Sequence, residues 1–325
     1  MTTTYVHIGV PKTGSTAIQR FLSDRQGELR NHGLLYPESS LRGFGHHDLA
    51  FLLDGGYPGW AKPQERSLED LVVDLRSEVS QCTGDVLLSS EDFYLFPQPE
   101  RLKGMLDAAG LLKNRRPQII VYVRRQDDVM ISWYNQLVKA QGFAGTFDES
   151  VASGRWMGDY DVQLSRWADV FGAEAMEVRR YERWPTPAAL LEDFLSVTCP
   201  SALGLVSEMH GSVNTSLVRD LLELQRIINA MPLSSIEKRS FHHELMALSI
   251  DPRWEFRDHP VVDRAKRLSL LDSFAASNDA VSKRWFDGAV LFDSDQLDGD
   301  TADPYPGLDV STVVEVFTWL LLQRG

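Results

Sequence analysis

The segment Pro11-Lys12-Thr13-Gly14-Ser15-Thr16 puts a cation, a glycine and three hydroxyl side chains within six positions. It follows the apolar run Tyr5 to Val10 and precedes Ile18, Phe21, Leu22 and Leu29. That spacing predicts a loop joining a strand end to a helix start. Free backbone N–H groups and the positive end of the helix dipole converge at such a junction, which favours an anion, most commonly phosphate. A loop that wraps ATP or GTP needs Gly-x-x-x-x-Gly-Lys-Ser/Thr, with lysine directly after the last glycine. Here Ser15 follows Gly14, where the lysine would stand, and Lys12 precedes it by two positions. No acidic strand end pairs with the loop to hold magnesium, so the order disfavours a nucleoside triphosphate.

On these residues the hexapeptide resembles the 5'-phosphosulfate-binding loop of sulfotransferases that use 3'-phosphoadenosine 5'-phosphosulfate (PAPS), whose pattern is Pro-Lys-Ser/Thr-Gly-Ser/Thr-Ser/Thr. The resemblance implies that Lys12 contacts the oxygen bridging phosphate and sulfuryl group. It also implies that Thr13, Gly14, Ser15 and Thr16 hold the 5'-phosphate with hydroxyls and amides. The family's 3'-phosphate element is a strand, an arginine at its end and a serine eight positions later on the next helix. Ile119 to Val123 leads into Arg124, and Ser132 stands eight positions on, so the resemblance selects Arg124 and Ser132 and excludes Arg125. A guanidinium presents a rigid fork of donors to phosphate oxygens, and a hydroxyl on the first helical turns reaches the same anion. Asp127 or Asp128 is expected to cap that helix, which continues through Val129, Trp133 and Leu137.

"LLSSEDFYLF", "YDVQLSRWADVFG" and "MEVRRYE" extend the likeness, to a bacterial branch of these enzymes, over most of the chain before Ser212. The late Arg-Lys-Gly-x-x-Gly-type segment by which cytosolic members close over the 3'-phosphate is absent. Arg219, Arg226 and Arg284 stand open as substitutes, and the aromatics that stack the adenine are unassigned.

Attack on sulfur requires an acceptor hydroxyl or amine that loses its proton as the bond forms. Glu91 follows the run Val86 to Leu88, at the strand edge where an open α/β sheet presents its ligand crevice. The resemblance implies a base in that region, often histidine in cytosolic members and glutamate in several glycan and protein sulfotransferases. The other role open to Glu91 is a helix N-terminal carboxylate after Ser89 or Ser90, satisfying amides. His46 and His47 follow Arg42-Gly43-Phe44-Gly45 and are expected to line the acceptor pocket or to offer an alternative base. Adjacent side chains diverge, so at most one of them does so. Trp60, Trp133, Tyr134 and Trp156 offer rings for a sugar or an aromatic substrate, or belong to the core.

The resulting expectation is in-line transfer of a sulfuryl group from PAPS, leaving PAP, to a hydroxyl or amine, with Glu91 as base and Lys12 at the leaving oxygen. The likeness implies a glycan or other saccharide-containing acceptor. A sulfuryl group carries one charge where a phosphoryl group carries several, so lysine and amides suffice and no metal is expected. The alternatives are an ATP-dependent kinase and a catalytically silent nucleotide-binding module that recruits a protein partner. The chain has no His-Glu-x-x-His, no Gly-x-Ser-x-Gly elbow and no complete dinucleotide fingerprint.

The elements that must position these residues are short apolar runs, Tyr5 to Val10, Val86 to Leu88, Ile119 to Val123 and Met176 to Val178, separated by helical patterns such as Leu68, Leu71, Val72 and Leu75. This alternation predicts an α/β fold with a parallel sheet flanked by helices, and the likeness implies the P-loop-like sulfotransferase version of it. From Ser212 to about Phe286 only helical spacing remains, so one domain is expected, with an α/β core over 1–211 and a mainly helical cap and C-terminal segment over 212–325. The stretch Asp293 to Gly307 reads as an acidic surface loop. The 325 residues carry a formal net charge of −13, which argues against a nucleic-acid partner and requires any anionic ligand to find a local cluster of cations. Two cysteines, no leader-like start and no apolar run of membrane-spanning length point to a cytoplasmic protein without an integral membrane segment.

Overall fold

The computed structural model describes residues 2–181, 186–208, 217–293 and 305–322. Five strands, β1 (Thr2–His7), β2 (Leu34–Leu35), β3 (Asp85–Ser89), β4 (Arg115–Val123) and β5 (Met176–Arg180), form one sheet in the order β2-β3-β1-β4-β5. Every pairing is parallel, with Val6 opposite Leu88 on one side and Ile119 on the other. All carboxyl ends therefore lie along one edge. The chain leaves the central strand β1 toward β2 and β3, then crosses to β4 and β5 on the other side. The carboxyl end of β1 is thus the point where strand order reverses, the usual ligand crevice of an open α/β sheet.

Side chains alternate across a strand, so each face of a buried sheet needs its own helices. Tyr5, Leu87, Ile120 and Tyr122 face the helix Ser15–Asp24 through Ile18, Phe21 and Leu22, and the helix Pro187–Thr198 through Leu190, Leu191 and Phe194. Tyr122 Oη donates to Asp193 Oδ2 at 2.6 Å and Arg179 Nε donates to the same oxygen at 2.8 Å, tying that second helix to β4 and β5. The helix Tyr160–Phe171 packs on β4 and on the helix Pro99–Ala108.

The sequence predicts strand through Val10, but β1 ends at His7. Beyond it the chain keeps a bond from Ile8 N–H to the Ile120 carbonyl at 3.0 Å, then turns at Pro11 and Lys12. β2 has two residues, too few to show a period.

The chain groups into two compact units. The first comprises Met1–Arg124, Asp159–Gly211 and Ser277–Leu291 and carries the sheet. The second comprises Arg125–Gly158, Ser212–Ala276 and Phe292–Gly325. Among its described residues it is built from the helices Gln126–Ala140, Phe147–Gly154, Arg219–Asn229, Ser235–Ser249, Arg264–Asp272 and Val310–Leu322. The segment 125–158 groups with these later helices, not with the α/β core that precedes residue 212. Its own side chains explain why: Asp127 is fully buried between Arg125 (3.1 and 3.0 Å) and Arg267 (2.8 Å), and Asn229 Nδ2 donates to the Val138 and Phe143 carbonyls at 2.7 and 3.0 Å. Asp127 and Asp128 therefore do not cap the helix Gln126–Ala140; Arg125 stands at its N-cap without a side-chain bond, and both carboxylates are engaged by Arg267. Residues 294–304 of the acidic stretch and residue 212 lie outside the described residues. No helix among the described residues is long and apolar enough to cross a membrane.

Candidate active site

The loop after β1 carries two left-handed residues, Lys12 at φ 69° and Gly14 at φ 77°, with Thr13 of ordinary sign between them. Alternation of backbone hand turns successive N–H groups into one concavity, the arrangement that cradles anions. A lysine rarely adopts this region, and such strain is typically kept where the site uses it. Gly14 is required twice over: its φ suits glycine, and a Cβ there would collide with Leu190 Cδ2 and approach Tyr181 Cε2 to 3.4 Å. Gly14 is also the N-cap of the helix Ser15–Asp24, where its carbonyl accepts from Ala17 and Ile18 at 2.9 and 3.2 Å. The first N–H groups of that helix point into the loop without intrahelical acceptors. Lys12 and Thr16 are exposed and Ser15 is buried. Thr13 turns inward, its hydroxyl donating to the Val10 carbonyl at 2.7 Å, so it offers an anion its amide and braces the loop with its side chain.

Arg124, the residue after β4, donates from Nη1 to the carbonyl of Lys12 at 2.7 Å, and its Cζ lies 5.3 Å from the Tyr181 ring centroid. Its main chain is fixed by the Tyr160 hydroxyl, which accepts from the Arg124 amide at 3.3 Å and donates to its carbonyl at 2.5 Å. Tyr181 is a site residue that the sequence reading missed. It follows β5, its amide donates to the Val123 carbonyl at 2.7 Å, and its ring borders both Gly14 and Arg124. The one available signal was an aromatic directly beyond a strand-like run. Ser132 lies half-buried on the helix Gln126–Ala140 of the second unit.

Glu91 follows β3 at the next carboxyl end along the same edge. It stands at the N-cap of the short helix Asp92–Leu95, yet its side chain makes no capping bond. The carboxylate instead accepts at Oε2 from Gln19 Nε2, 2.8 Å away. It is partly exposed, and Oε1 has no hydrogen-bond partner among the described residues.

The two histidines separate as adjacent residues should, and their surroundings move their pKa values in opposite directions. His46 is fully buried; its Nδ1 accepts from the Ser89 amide at 3.1 Å and its Nε2 donates to the Pro37 carbonyl at 3.1 Å. Burial pulls its pKa down to about 3, so it is a neutral strut with both nitrogens committed to main chain. That geometry corrects the expectation that His46 lines an acceptor pocket. His47 places Nδ1 2.7 Å from Asp92 Oδ2 and 2.9 Å from Ser90 Oγ. Burial pulls its pKa down, but the Asp92 hydrogen bond and the charges of Glu91, Asp92 and Asp48 outweigh burial and leave it raised. Its Nε2 rests over Gly45, where a Cβ would lie 2.5 Å away.

Of the four candidate aromatics, Tyr134 belongs to the core, edge-on to Phe143 and Phe147, while Trp60 is 58% exposed against Phe51. Trp133 is half-buried and Trp156 is exposed. The three arginines left open are engaged locally: Arg226 with Glu223 at 2.6 Å, Arg219 over the Tyr305 ring at 4.8 Å, and Arg284 with Ser165 Oγ at 3.0 Å.

The first unit therefore gathers Lys12, Gly14, Ser15, Thr16, Glu91, His47, Arg124 and Tyr181 at the carboxyl edge of one sheet. The arrangement offers an anion cradle, a cation at its mouth and a carboxylate free at one oxygen. No family model matches the chain, and no curated protein matches it. Among solved structures it is similar to the crystal structure of a sulfotransferase from Alicyclobacillus acidocaldarius, with a TM-score of 0.40 and 17% identity, over 85% of this chain and 96% of that chain. A likeness of this degree carries no assignment of activity.

Proposed function

We propose that this protein transfers a sulfuryl group from PAPS to an acceptor hydroxyl or amine. The observation that carries the reading is a left-handed lysine two residues before a left-handed glycine, at the mouth of a helix that opens on the carboxyl end of the central strand. In a chain of net charge −13 this is a local positive site, suited to an anionic nucleotide.

The amides of the loop and of the first helical turn hold the 5'-phosphate, with Ser15 and Thr16 beside them. Arg124 takes the 3'-phosphate from the neighbouring strand end. As the acceptor oxygen bonds to sulfur, its proton passes to Glu91 Oε1. The bond from sulfur to the 5'-phosphate oxygen breaks, its electron pair stays on that oxygen, and PAP leaves. The Lys12 ammonium stabilises the charge that develops there, as a preorganised cation does at an oxyanion. His47, hydrogen-bonded to Asp92 and Ser90, contacts the acceptor in this reading. A saccharide acceptor rests on the family likeness of the sequence, and a reducing cytoplasm on the unpaired Cys82 and Cys199.

The test is transfer of label from [35S]PAPS to a saccharide extract, run beside [γ-32P]ATP with magnesium. Label from PAPS that appears in the extract, and fails to appear with Lys12→Ala, supports the reading. Label from ATP alone supports the kinase. Tight PAP binding with neither transfer supports the silent module.

A further inference from the structure

Gln19 has the burial of a core residue and the chemistry of a site residue. It is 0% exposed on the inner face of the helix Ser15–Asp24, among Ile18, Phe21 and Leu22. Its Nε2 donates to Glu91 Oε2 at 2.8 Å, while its Oε1 is buried with no hydrogen-bond partner among the described residues. A half-satisfied buried amide is costly, so a leucine or methionine would serve packing alone better. What the amide does make is the bond from its nitrogen to Glu91.

We propose that Gln19 is a positioning residue for Glu91. This rests on the reading of Glu91 as the base. An amide nitrogen can only donate, so Gln19 favours the ionised carboxylate and fixes which oxygen is occupied. Oε2 is held and Oε1 is left to receive the acceptor's proton. After that transfer Oε2 still accepts from Gln19, and the loss of charge weakens the bond, which returns the proton to solvent. Gln19 stands one helical turn after Ser15, so the helix whose first turn lines the anion cradle also holds the base. Donor loop and base are thereby set on one rigid element.

The experiment is a carboxyl titration by 13C NMR of protein labelled at glutamate Cδ, with the Glu91 resonance assigned from its absence in Glu91→Gln. Gln19→Met keeps the length of the side chain and removes the donor. The expected result is a Glu91 midpoint about one pH unit higher in Gln19→Met than in the wild type, with PAP affinity by calorimetry changed less than about twofold. Gln19→Leu is the second variant should the first not fold. An unmoved midpoint overturns the proposal whatever turnover does, and so does a fall in PAP affinity at an unmoved midpoint, which would make Gln19 a support for the loop. A shifted midpoint together with undiminished [35S]PAPS turnover in Glu91→Gln overturns the base reading instead, leaving the contact but not its catalytic meaning.

Discussion

Arg124 donates to the carbonyl oxygen of Lys12 at 2.7 Å. The residue beyond β4 thus grips the main chain of the loop beyond β1, at a lysine whose backbone is left-handed. A guanidinium has five donors in a fixed fork, so one can hold the loop while others face a phosphate.

Replacing Arg124 with alanine is expected to weaken PAP on the order of tenfold to a hundredfold more than AMP, since a hydrogen bond to a charged group contributes about 1.5–3 kcal/mol and only PAP carries the 3'-phosphate. Lysine should restore little, because a point charge cannot serve loop and phosphate together. Calorimetric titration of both nucleotides reads the effect. Equal losses for PAP and AMP would assign Arg124 to the loop alone.

Lys12→Ala and Glu91→Gln address the chemical step. Each should lower turnover of PAPS on the order of 10²-fold or more, the scale of losing an oxyanion donor or a positioned base. The two should differ in binding: PAP affinity falls in Lys12→Ala and holds in Glu91→Gln. If Glu91→Gln retains turnover, His47 becomes the base to examine.

Gly14→Ala is expected to destabilise the fold by about 1–2 kcal/mol from backbone hand alone, with a further loss from the collision with Leu190. Denaturant unfolding measures it. PAP binding should suffer more than stability, because the same shift tilts the amides that form the cradle. A variant as stable and as tight as wild type would show that the loop adapts freely.

Stability should also fall on acidification through the buried histidines. Burial lowers the pKa of His7 to about 3, and burial lowers that of His46 to about 3. The unfolded chain binds these protons near pH 6.5 and the folded chain does not, so the stability is complete above about 6.5 and is lost as pH falls toward 3. Each histidine contributes a slope of about 1.4 kcal/mol per pH unit within that window. Urea unfolding of wild type and His46→Gln between pH 7 and 5 should show a shallower decline in the variant. Parallel declines would contradict the assignment.

Much of this was legible in residue order. β-branched runs gave four of the five strands, because a parallel sheet buried on both faces reads as continuous apolar sequence. The loop from Lys12 to Thr16 was legible because its glycine and hydroxyls leave few other conformations. What escaped was chemistry that depends on sequence-distant neighbours. Gln19 sits in an ordinary amphipathic helix, and only its meeting with Glu91, 72 positions away, gives it meaning. Tyr181 has no motif and matters because β5 lies beside β4. His46 and His47 look equivalent in sequence, yet one faces the Ser89 main chain and the other Asp92. A carboxylate at a helix start usually caps it, which makes Asp127 or Asp128 the expected cap; Arg125 and Arg267 engage Asp127, and Arg267 engages Asp128, instead.

The central claim is tested most directly by calorimetric titration of the wild-type protein with PAP, AMP and ATP, with and without magnesium. The account predicts that PAP binds tightest, on the order of tenfold to a hundredfold over AMP, with an affinity indifferent to magnesium. Binding of ATP that requires magnesium and exceeds that of PAP would contradict it.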